Sequence, residues 1–453
     1  MSSGVRLLGE SGRKPQLPKE NRGDCQLPRM SSPSAGDFLN QLYKIPSPTN
    51  VLRVILRVMP PITARATSAI TTLRPAVVGK FNERRVLRLL QTRGPQSRAE
   101  MARASGLSAP TVSKAVASLL KAGLLEEAGA ESARGRPAPK LRLATTSAQV
   151  LGIAIDAGHC EVIAAGLDGV PQGEVAAVPT PATYLELVSV LETAVRQFMA
   201  RPGVTTLGLG VSLPGLVDYR QARGVLSPNV PMTNGHAPAA DLATRLDLEC
   251  TLLQESHALC LAERHYGLAR GLDDFAVLDV ATGVGLGVMM GGRLLRGHSG
   301  LAGEIGHITA VAEGGRKCGC GNTGCLETVA SDSALAFQAS RKLGRTVSVD
   351  EVIDLARSGT VDLSAELDAI AGYLAVGVAA VINLYNPAVV FVHSPLFDID
   401  PGLIARVVER TRQRALPPSF AECRVLRAEG TKRQGAVAGA IQHLTDAVAP
   451  EVI

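Results

Sequence analysis

The feature that most constrains this chain is a short segment in which four metal-ligating side chains stand close together. They are His307, Cys318, Cys320 and Cys325. Three thiolates and one imidazole are the ligand set of a closed tetrahedral zinc site, which organises a loop and leaves no open position to activate water. Buried free thiols are the alternative, but the clustering favours a structural zinc ion. Glycine at positions 319, 321 and 324 agrees with this prediction, because a chain wound around a metal needs residues that tolerate positive φ.

Length and composition indicate a globular protein of more than one domain. With 453 residues, 46% of them hydrophobic and 19% charged, the chain exceeds one ordinary core and suggests two or three domains. No apolar run reaches the roughly 18 to 20 residues that a membrane helix needs, and the N-terminus shows no basic-then-apolar signal pattern. We therefore expect a cytoplasmic protein, a compartment in which clustered cysteines favour metal binding over disulfides.

The first part of the chain, residues 1–78, differs in composition from the rest. It is rich in Ser, Pro, Gly and Arg and lacks sustained periodicity, which predicts a flexible, basic and disordered leader. A misplaced start site would give the same pattern, and the sequence does not choose between the two.

Three successive helices are predicted between Phe81 and about residue 121. An apolar face at positions 86, 87, 89 and 90 is followed by Gly94, which stops the first helix. Ser97 and Glu100 form a capping box that opens the second helix, and Ser108 is a good N-cap for the third. This order predicts a helix-turn-helix, whose last helix enters the DNA major groove, although any three-helix bundle has similar periodicity.

The predicted DNA contacts are small polar or basic side chains near the starts of the second and third helices. They are Arg98, Ser108, Thr111, Ser113 and Lys114. Hydroxyl and ammonium groups there can reach bases and phosphates. Segments 124–127 and 140–143 predict the two strands of a wing, which completes a winged helix over residues 79–146. Between them, Arg134 and Arg136 form a basic arm that we expect to enter the minor groove, with a solvated turn as the alternative.

From about residue 147 to residue 453 the pattern changes to alternating strands and helices. Strands are predicted at 150–155, 206–212, 275–280 and 389–393, and glycine-containing loops follow the first and third of these. Such strand, loop and helix units indicate an α/β fold with a ligand cleft at the ends of the strands.

Taken together, these residues resemble the ROK family, which joins bacterial sugar kinases to xylose-type and N-acetylglucosamine-type repressors. The resemblance is carried by the winged helix, the segment 300–307, the cysteine cluster, and the Pro214-Gly215 and Pro228-Asn229 elements. It implies an N-terminal winged helix-turn-helix followed by a two-lobed, actin-like ATPase domain at residues 147–453, which binds an effector and forms the dimer.

The parts that the kinases of this family use for ATP are altered here. Their first phosphate loop reads Asp-x-Gly-Gly-Thr, whereas this chain has Asp156-Ala-Gly-His159. Their catalytic Asn-Asp pair falls on Gln254-Glu255, which moves the carboxylate by one methylene, and a displacement of about 1 Å can cost on the order of 100-fold in rate. We therefore expect Glu255 to be a degenerate catalytic position, kinase activity to be lost and ATP not to be a cofactor.

The residues that the family uses for sugar are better preserved. The resemblance implies an effector site built from Asn229, Gln254, Glu255, Glu304, His307 and Glu327. His307 would also ligate the zinc. The resulting prediction is a transcriptional regulator, in the first place a repressor, that binds a double-stranded operator as a homodimer or tetramer, responds to a carbohydrate or sugar phosphate and has no membrane partner. An active sugar kinase of the glucokinase or N-acetylhexosamine kinase type that also binds DNA, and a regulator with a non-sugar effector, are the alternatives.

Overall fold

The computed structural model describes residues 75–128 and 139–448 of the chain. Residues 1–74 of the predicted leader lie outside the described residues. So do Arg134 and Arg136 of the predicted basic arm. The first described helix begins at Pro75, four residues before the predicted boundary at residue 79.

The N-terminal region is a winged helix-turn-helix, as predicted. Its elements are α1 (Pro75–Arg93), α2 (Arg98–Ser105), α3 (Ala109–Lys121), β1 (Leu125–Glu127) and β2 (Leu141–Leu143). Ser97 and Glu100 form the predicted capping box, and the side chain of Ser108 caps α3. The two short strands pair antiparallel, so the wing is formed.

A first five-stranded sheet follows the wing. Its strands are β3 (Ala148–Ala154), β4 (His159–Ala165), β5 (Pro171–Pro179), β6 (Thr205–Leu213) and β9 (Cys250–Gln254). A small separate hairpin, formed by β7 (Leu216–Asp218) and β8 (Arg223–Leu226), lies between β6 and β9 in the chain. Helices α4 (Tyr184–Met199), α5 (Pro238–Leu246) and α6 (Glu255–His265) accompany it. The strand order is β5-β4-β3-β6-β9, with β3, β6 and β9 parallel.

A second five-stranded sheet repeats this plan. Its strands are β10 (Phe275–Val280), β11 (Val284–Met290), β12 (Arg293–Leu294), β13 (Val389–His393) and β14 (Arg424–Arg427), in the order β12-β11-β10-β13-β14. The helices of this half are α7 (Glu327–Ala330), α8 (Asp332–Leu343), α9 (Val349–Arg357), α10 (Ser364–Tyr385), α11 (Leu396–Ile399), α12 (Leu403–Arg412) and α13 (Pro417–Glu422). Each sheet thus places its first strand in the centre, and the two halves form the predicted two-lobed domain.

The last helix, α14 (Lys432–Val448), joins the winged helix to the first sheet. It lies so close to β6 that a Cβ on Gly210 would meet the Ala436 carbonyl oxygen, so glycine is required there. Val437, Ala440 and Ile441 of α14 belong to one buried core with residues of α1, α3 and the wing. The DNA-binding region therefore has no separate core, which the sequence did not indicate.

Helix α10 is apolar and long enough, by length and composition, to cross a membrane. The expectation that no apolar segment is long enough to cross a membrane was therefore wrong for this helix. In the structure α10 is a core helix, because Leu374, Val378 and Ile382 are buried in the hydrophobic core of the second half. Its apolar character is therefore accounted for by packing.

Candidate metal centre, effector cleft and DNA-binding surface

The four predicted zinc ligands converge, with their ligand atoms all within 4.8 Å of one another. The Sγ atoms of Cys320 and Cys325 are 3.7 Å apart, as are Cys318 Sγ and His307 Nδ1. A tetrahedral zinc ion with bonds of about 2.3 Å to sulfur and about 2.0 Å to nitrogen requires separations of about 3.5 to 3.8 Å. Two pairs therefore have the separations of a Cys3His zinc site, and all four ligand atoms are close enough for small side-chain movements to complete it.

The glycines of this segment follow the prediction at two of three positions. Gly321 and Gly324 have φ of 97° and 75°, which only glycine adopts readily. At Gly324 a Cβ would also collide with the Val311 carbonyl oxygen. The expectation was wrong for Gly319, which does not have positive φ; the chain turns at the later glycines instead.

Four of the predicted effector residues form a continuous line, which we call the polyol row: Gln254, Glu304, His307 and Glu327. Gln254 Nε2 donates a hydrogen bond of 3.0 Å to Glu304 Oε1. Glu304 Oε2 lies 3.6 Å from His307 Nε2, and His307 Nδ1 lies 3.7 Å from Glu327 Oε1. His307 thus presents one ring nitrogen to the cysteines and the other to a carboxylate of the row.

Two further residues, Gly283 and Asn229, lie beside the polyol row. A Cβ on Gly283 would be 3.2 Å from Glu327 Oε2 and 3.7 Å from Asn229 Nδ2, so Asn229 also belongs to this region. Gln254 is only 4% exposed, yet its Oε1 has no hydrogen-bond partner among the described residues. A buried acceptor of this kind calls for a donor, and a ligand hydroxyl would supply one.

A tyrosine and a histidine that no sequence motif marks hold Gln254 in place. Tyr219 Oη accepts a hydrogen bond of 3.0 Å from Gln254 N and lies 2.7 Å from His257 Nδ1. Burial raises the pKa of Tyr219 to about 12 and lowers the pKa of His257 to about 4. Both groups are therefore neutral at pH 7, and they fix the backbone at the start of the row.

Glu255, the predicted degenerate catalytic position, is held by a lysine. It is the first residue of α6, and its Oε2 lies 2.5 Å from Lys432 Nζ. The same ammonium group is 3.1 Å from Asp279 Oδ2 and 3.8 Å from Asp156 Oδ2. Although burial opposes it, these carboxylates raise the pKa of Lys432 above its usual value, so the ammonium stays charged. Lys432 and Asp279 were not predicted, since neither lies in a recognisable motif.

The neighbouring loops place further imidazole and carboxylate groups in the predicted phosphate region. His159 is exposed at the start of β4, with its Nε2 4.0 Å from Glu161 Oε1. His393, at the end of β13, has its Nδ1 2.8 Å from Asp279 Oδ1. His393 thus contacts the same carboxylate that pairs with Lys432 at the end of β10.

The predicted DNA contacts lie on the helix-turn-helix. Ser113 and Lys114 are exposed on α3, whereas Thr111 and Arg98 are half-buried. Ser108 Oγ accepts a hydrogen bond of 3.4 Å from Thr111 N and lies 2.8 Å from Thr111 Oγ1, so these two hydroxyls bond each other at the cap. Ser113 and Lys114 are therefore the predicted residues best placed to meet a groove.

A partly buried carboxylate ties the wing to the first sheet. Glu126 of β1 accepts hydrogen bonds from Arg142 Nε at 2.9 Å and from Ser147 Oγ at 2.6 Å. Although burial opposes it, hydrogen bonds from Ser147 and Thr145 hold the pKa of Glu126 well below its usual range. This carboxylate fixes the linker before β3, and no pattern in the sequence marks it.

Comparison with known families matches both parts of the chain. Residues 150–446 match the ROK family and residues 80–135 match the MarR family. The xylose repressor of Bacillus spizizenii is 27% identical over 350 residues, which cover 75% of this chain and 88% of that protein. The dual regulator NagC of Escherichia coli is 27% identical over 366 residues, 78% of this chain and 90% of NagC.

Solved structures agree with the fold. A ROK family transcriptional regulator that is a homologue of E. coli Mlc has a TM-score of 0.69 at 24% identity, covering 82% of this chain and 98% of that one. A ROK family glucokinase from Streptomyces griseus, in complex with glucose and AMPPNP, has a TM-score of 0.57 at 24% identity, covering 64% and 98%. The kinase thus matches a smaller share of this chain than the regulator does.

Proposed function

This chain belongs to the ROK family, and we propose that it is a transcriptional repressor whose operator binding responds to a carbohydrate or sugar phosphate. One observation carries the proposal: a winged helix-turn-helix shares its core with a ROK domain in which Gln254, Glu304 and His307 lie side by side. Relatives that match 75% and 78% of this chain are named xylose repressor and N-acetylglucosamine repressor. A cytoplasmic homodimer is the simplest assembly, because paired half-sites require two winged helices.

The polyol row suits a sugar for chemical reasons. Its two carboxylates, one imidazole and one amide can each pair with a hydroxyl group, and vicinal hydroxyls can bridge neighbouring members of the row. The unpartnered Gln254 Oε1 would gain its missing donor from such a ligand. An epimer that leaves one of these groups unpaired would bind more weakly, which gives the site its selectivity.

A structural zinc ion would support this row. Cys318, Cys320, Cys325 and His307 have the spacing to hold it. Bound there, zinc would fix the orientation of His307 and the segment that leads to Glu327, the function expected of a closed site. The metal would take no part in chemistry at the sugar.

Loss of kinase activity is part of the proposal. Glu255, the residue at the position of the catalytic carboxylate, is paired with Lys432 at 2.5 Å, although burial raises the pKa of its carboxyl group to about 7. A sugar hydroxyl would have to displace the lysine before Glu255 could accept its proton. The alternative, a sugar kinase that also binds DNA, is supported by the likeness to solved ROK sugar-kinase structures.

The shared core connects the effector cleft physically to the DNA-binding helices. Helix α14 begins beside Glu255 at the cleft, and its residues Val437 and Ile441 pack with the winged helix. An effector that changes the position of α14 would move the winged helix with it. Such a ligand must bind one arrangement more tightly than the other, and the coupling equals that difference in affinity.

The test measures operator binding and sugar binding in the same protein. Operator sites are first selected from random duplex DNA, and affinity is then measured with a panel of pentoses, hexoses, N-acetylhexosamines and their phosphates. We expect one sugar class to change operator affinity about tenfold or more in the wild type. Gln254→Ala should abolish that response and keep unliganded DNA binding. A protein that selects no DNA sequence, or a response that survives in Gln254→Ala, would contradict the proposal.

A further inference from the structure

Lys432 occupies an unusual position for a cation. Its side chain is only 12% exposed, and its ammonium group lies within 4 Å of three carboxylates: Glu255, Asp279 and Asp156. A lysine is rarely buried unless it is paired, and removing one partner from such a group leaves the other charges without compensation. The three carboxylates and the ammonium therefore form one electrostatic unit.

The three carboxylates come from both halves of the domain. Asp156 follows β3 and Asp279 lies near the end of β10, which are the central first strands of the two topologically equivalent sheets. Glu255 begins α6, directly after β9. Equivalent strand ends thus face each other, and Lys432 lies between them. Oxygen donors from several rigid elements are the ligand set that Mg²⁺ and Mn²⁺ prefer.

A fourth carboxyl group, that of Asp332, is buried with one unpartnered oxygen. Asp332 is only 3% exposed, and its Oδ1 has no hydrogen-bond partner among the described residues. Burial raises the pKa of Asp332 to about 7, and the charges of Lys432, Asp156 and Asp279 also act on it. One ammonium group thus faces the three carboxyl groups within 4 Å of it, and a divalent ion in its place would offset more of their negative charge.

We propose that the Lys432 ammonium is a built-in counter-cation that fills a divalent-cation site formed by Asp156, Glu255 and Asp279. It supplies one positive charge where a metal would supply two, and it blocks entry of the metal. Carboxylate oxygens bind Mg²⁺ at about 2.1 Å, so Asp156, now 3.8 Å from Nζ, must move inward by more than about 1 Å to ligate an ion. Its side chain is 45% exposed, which leaves it room to do so.

The charges of Lys432 and its carboxylate partners also affect the binding of a nucleotide. Polyphosphate bound between the lobes needs metal or several cations to offset its charge. With Lys432 in place, the metal is excluded and the carboxylates repel phosphate. Removal of the lysine charge should therefore expose a latent metal site.

The experiment uses Mn²⁺ with the full-length, zinc-loaded protein. Lys432→Met should gain an Mn²⁺ site, seen as Mn²⁺ bound in EPR titration and as a rise in melting temperature with added Mn²⁺. The wild type should show neither. Arg433→Met is the matched control, since Arg433 is the adjacent cation and pairs with Glu161 at 2.5 Å outside this group; it should not respond to Mn²⁺. The double variant Lys432→Met/Asp279→Asn should lose the response.

The outcomes are decisive in each case. Equal Mn²⁺ binding by the wild type and Lys432→Met, or no binding by Lys432→Met, overturns the proposal. If Lys432→Met does not fold by itself, Mn²⁺ present during refolding should restore it, and failure of that rescue counts against the proposal. Because the readout is metal binding, the result is independent of whether the protein regulates transcription.

Discussion

The two sides of the cleft differ in how their polar groups are satisfied. Along the polyol row, Gln254 Oε1 is buried without a partner among the described residues, and Glu304 and His307 approach each other only to 3.6 Å. Around Lys432, by contrast, Glu255 and Asp279 are paired with the ammonium at 2.5 and 3.1 Å. One side therefore has an unpartnered polar group, whereas the carboxylates of the other side are paired internally. Under the proposed function, this difference would let a kinase-like fold keep sugar recognition without phosphoryl transfer.

The largest expected effect comes from the proposed metal centre, because a zinc ion there would support the polyol row. Cys320→Ser should abolish stoichiometric zinc, lower the melting temperature and remove the sugar response, since structural zinc sites contribute directly to folding free energy. Metal analysis by mass spectrometry and thermal unfolding check this. Cys250→Ser is the control, since Cys250 lies outside the cluster in β9. Full zinc content in Cys320→Ser would show that the ligand assignment is wrong.

A smaller effect, confined to sugar binding, is expected from a substitution within the polyol row. Glu304→Gln should weaken sugar binding about tenfold or more, because it replaces a charged acceptor beside His307 and disturbs the bond from Gln254. Calorimetry with the active sugar measures this. Exposed Glu313, in the same region of sequence, provides the control Glu313→Gln. Unchanged sugar affinity in Glu304→Gln would remove the row from the effector site.

Substitutions on the DNA-binding surface should change operator binding without changing either side of the cleft. Lys114→Ala, together with Arg134→Ala and Arg136→Ala, should weaken operator binding and reduce its salt dependence by about one ion for each phosphate that the variant no longer neutralises. Sugar binding should be retained. Lys121→Ala, at the far end of α3, is the comparison. An unchanged salt slope would exclude these residues from binding phosphate.

The smallest effect is a pH dependence of stability near Lys432. Burial raises the pKa of Asp332 to about 7. A carboxyl group with a raised folded-state pKa contributes stability that is complete below its unfolded pKa and is lost as pH rises through about 7. The contribution of Asp332 to the free energy of unfolding should therefore fall between about pH 4 and pH 8. Asp332→Asn should remove this contribution, so that the difference between the wild-type and variant free energies from urea titrations changes over that range. Asp350→Asn, an exposed first-turn aspartate of α9, should leave this contribution unchanged; equal slopes in wild type and Asp332→Asn would refute the assignment.

Local signals made much of this structure predictable. The capping box at Ser97, the N-cap at Ser108 and the cysteine spacing each specify a short-range geometry, and the structure has all three. Strand positions followed from continuous apolar runs, because buried parallel strands have such sequences.

The features that the sequence did not reveal depend on contacts between distant residues. Lys432 meets Asp156 and Asp279 only after both sheets have formed, and a single lysine at a helix start has no pattern of its own. The common core of α14 and the winged helix is similar, since Ile441 and Leu87 lie far apart in the chain. Helix α10 shows the converse, because its composition alone does not distinguish a core helix from a membrane helix.

The most direct test of a sensor without kinase activity follows two signals in one sample. Zinc-loaded protein with ATP, Mg²⁺ and labelled operator is titrated with each sugar of the panel, while operator release or capture and ADP formation are recorded together. The account predicts that one sugar changes operator affinity about tenfold or more with no sugar-dependent ADP above background. Sugar-dependent ADP formation at rates typical of kinases, about 1 s⁻¹ or more, would contradict it.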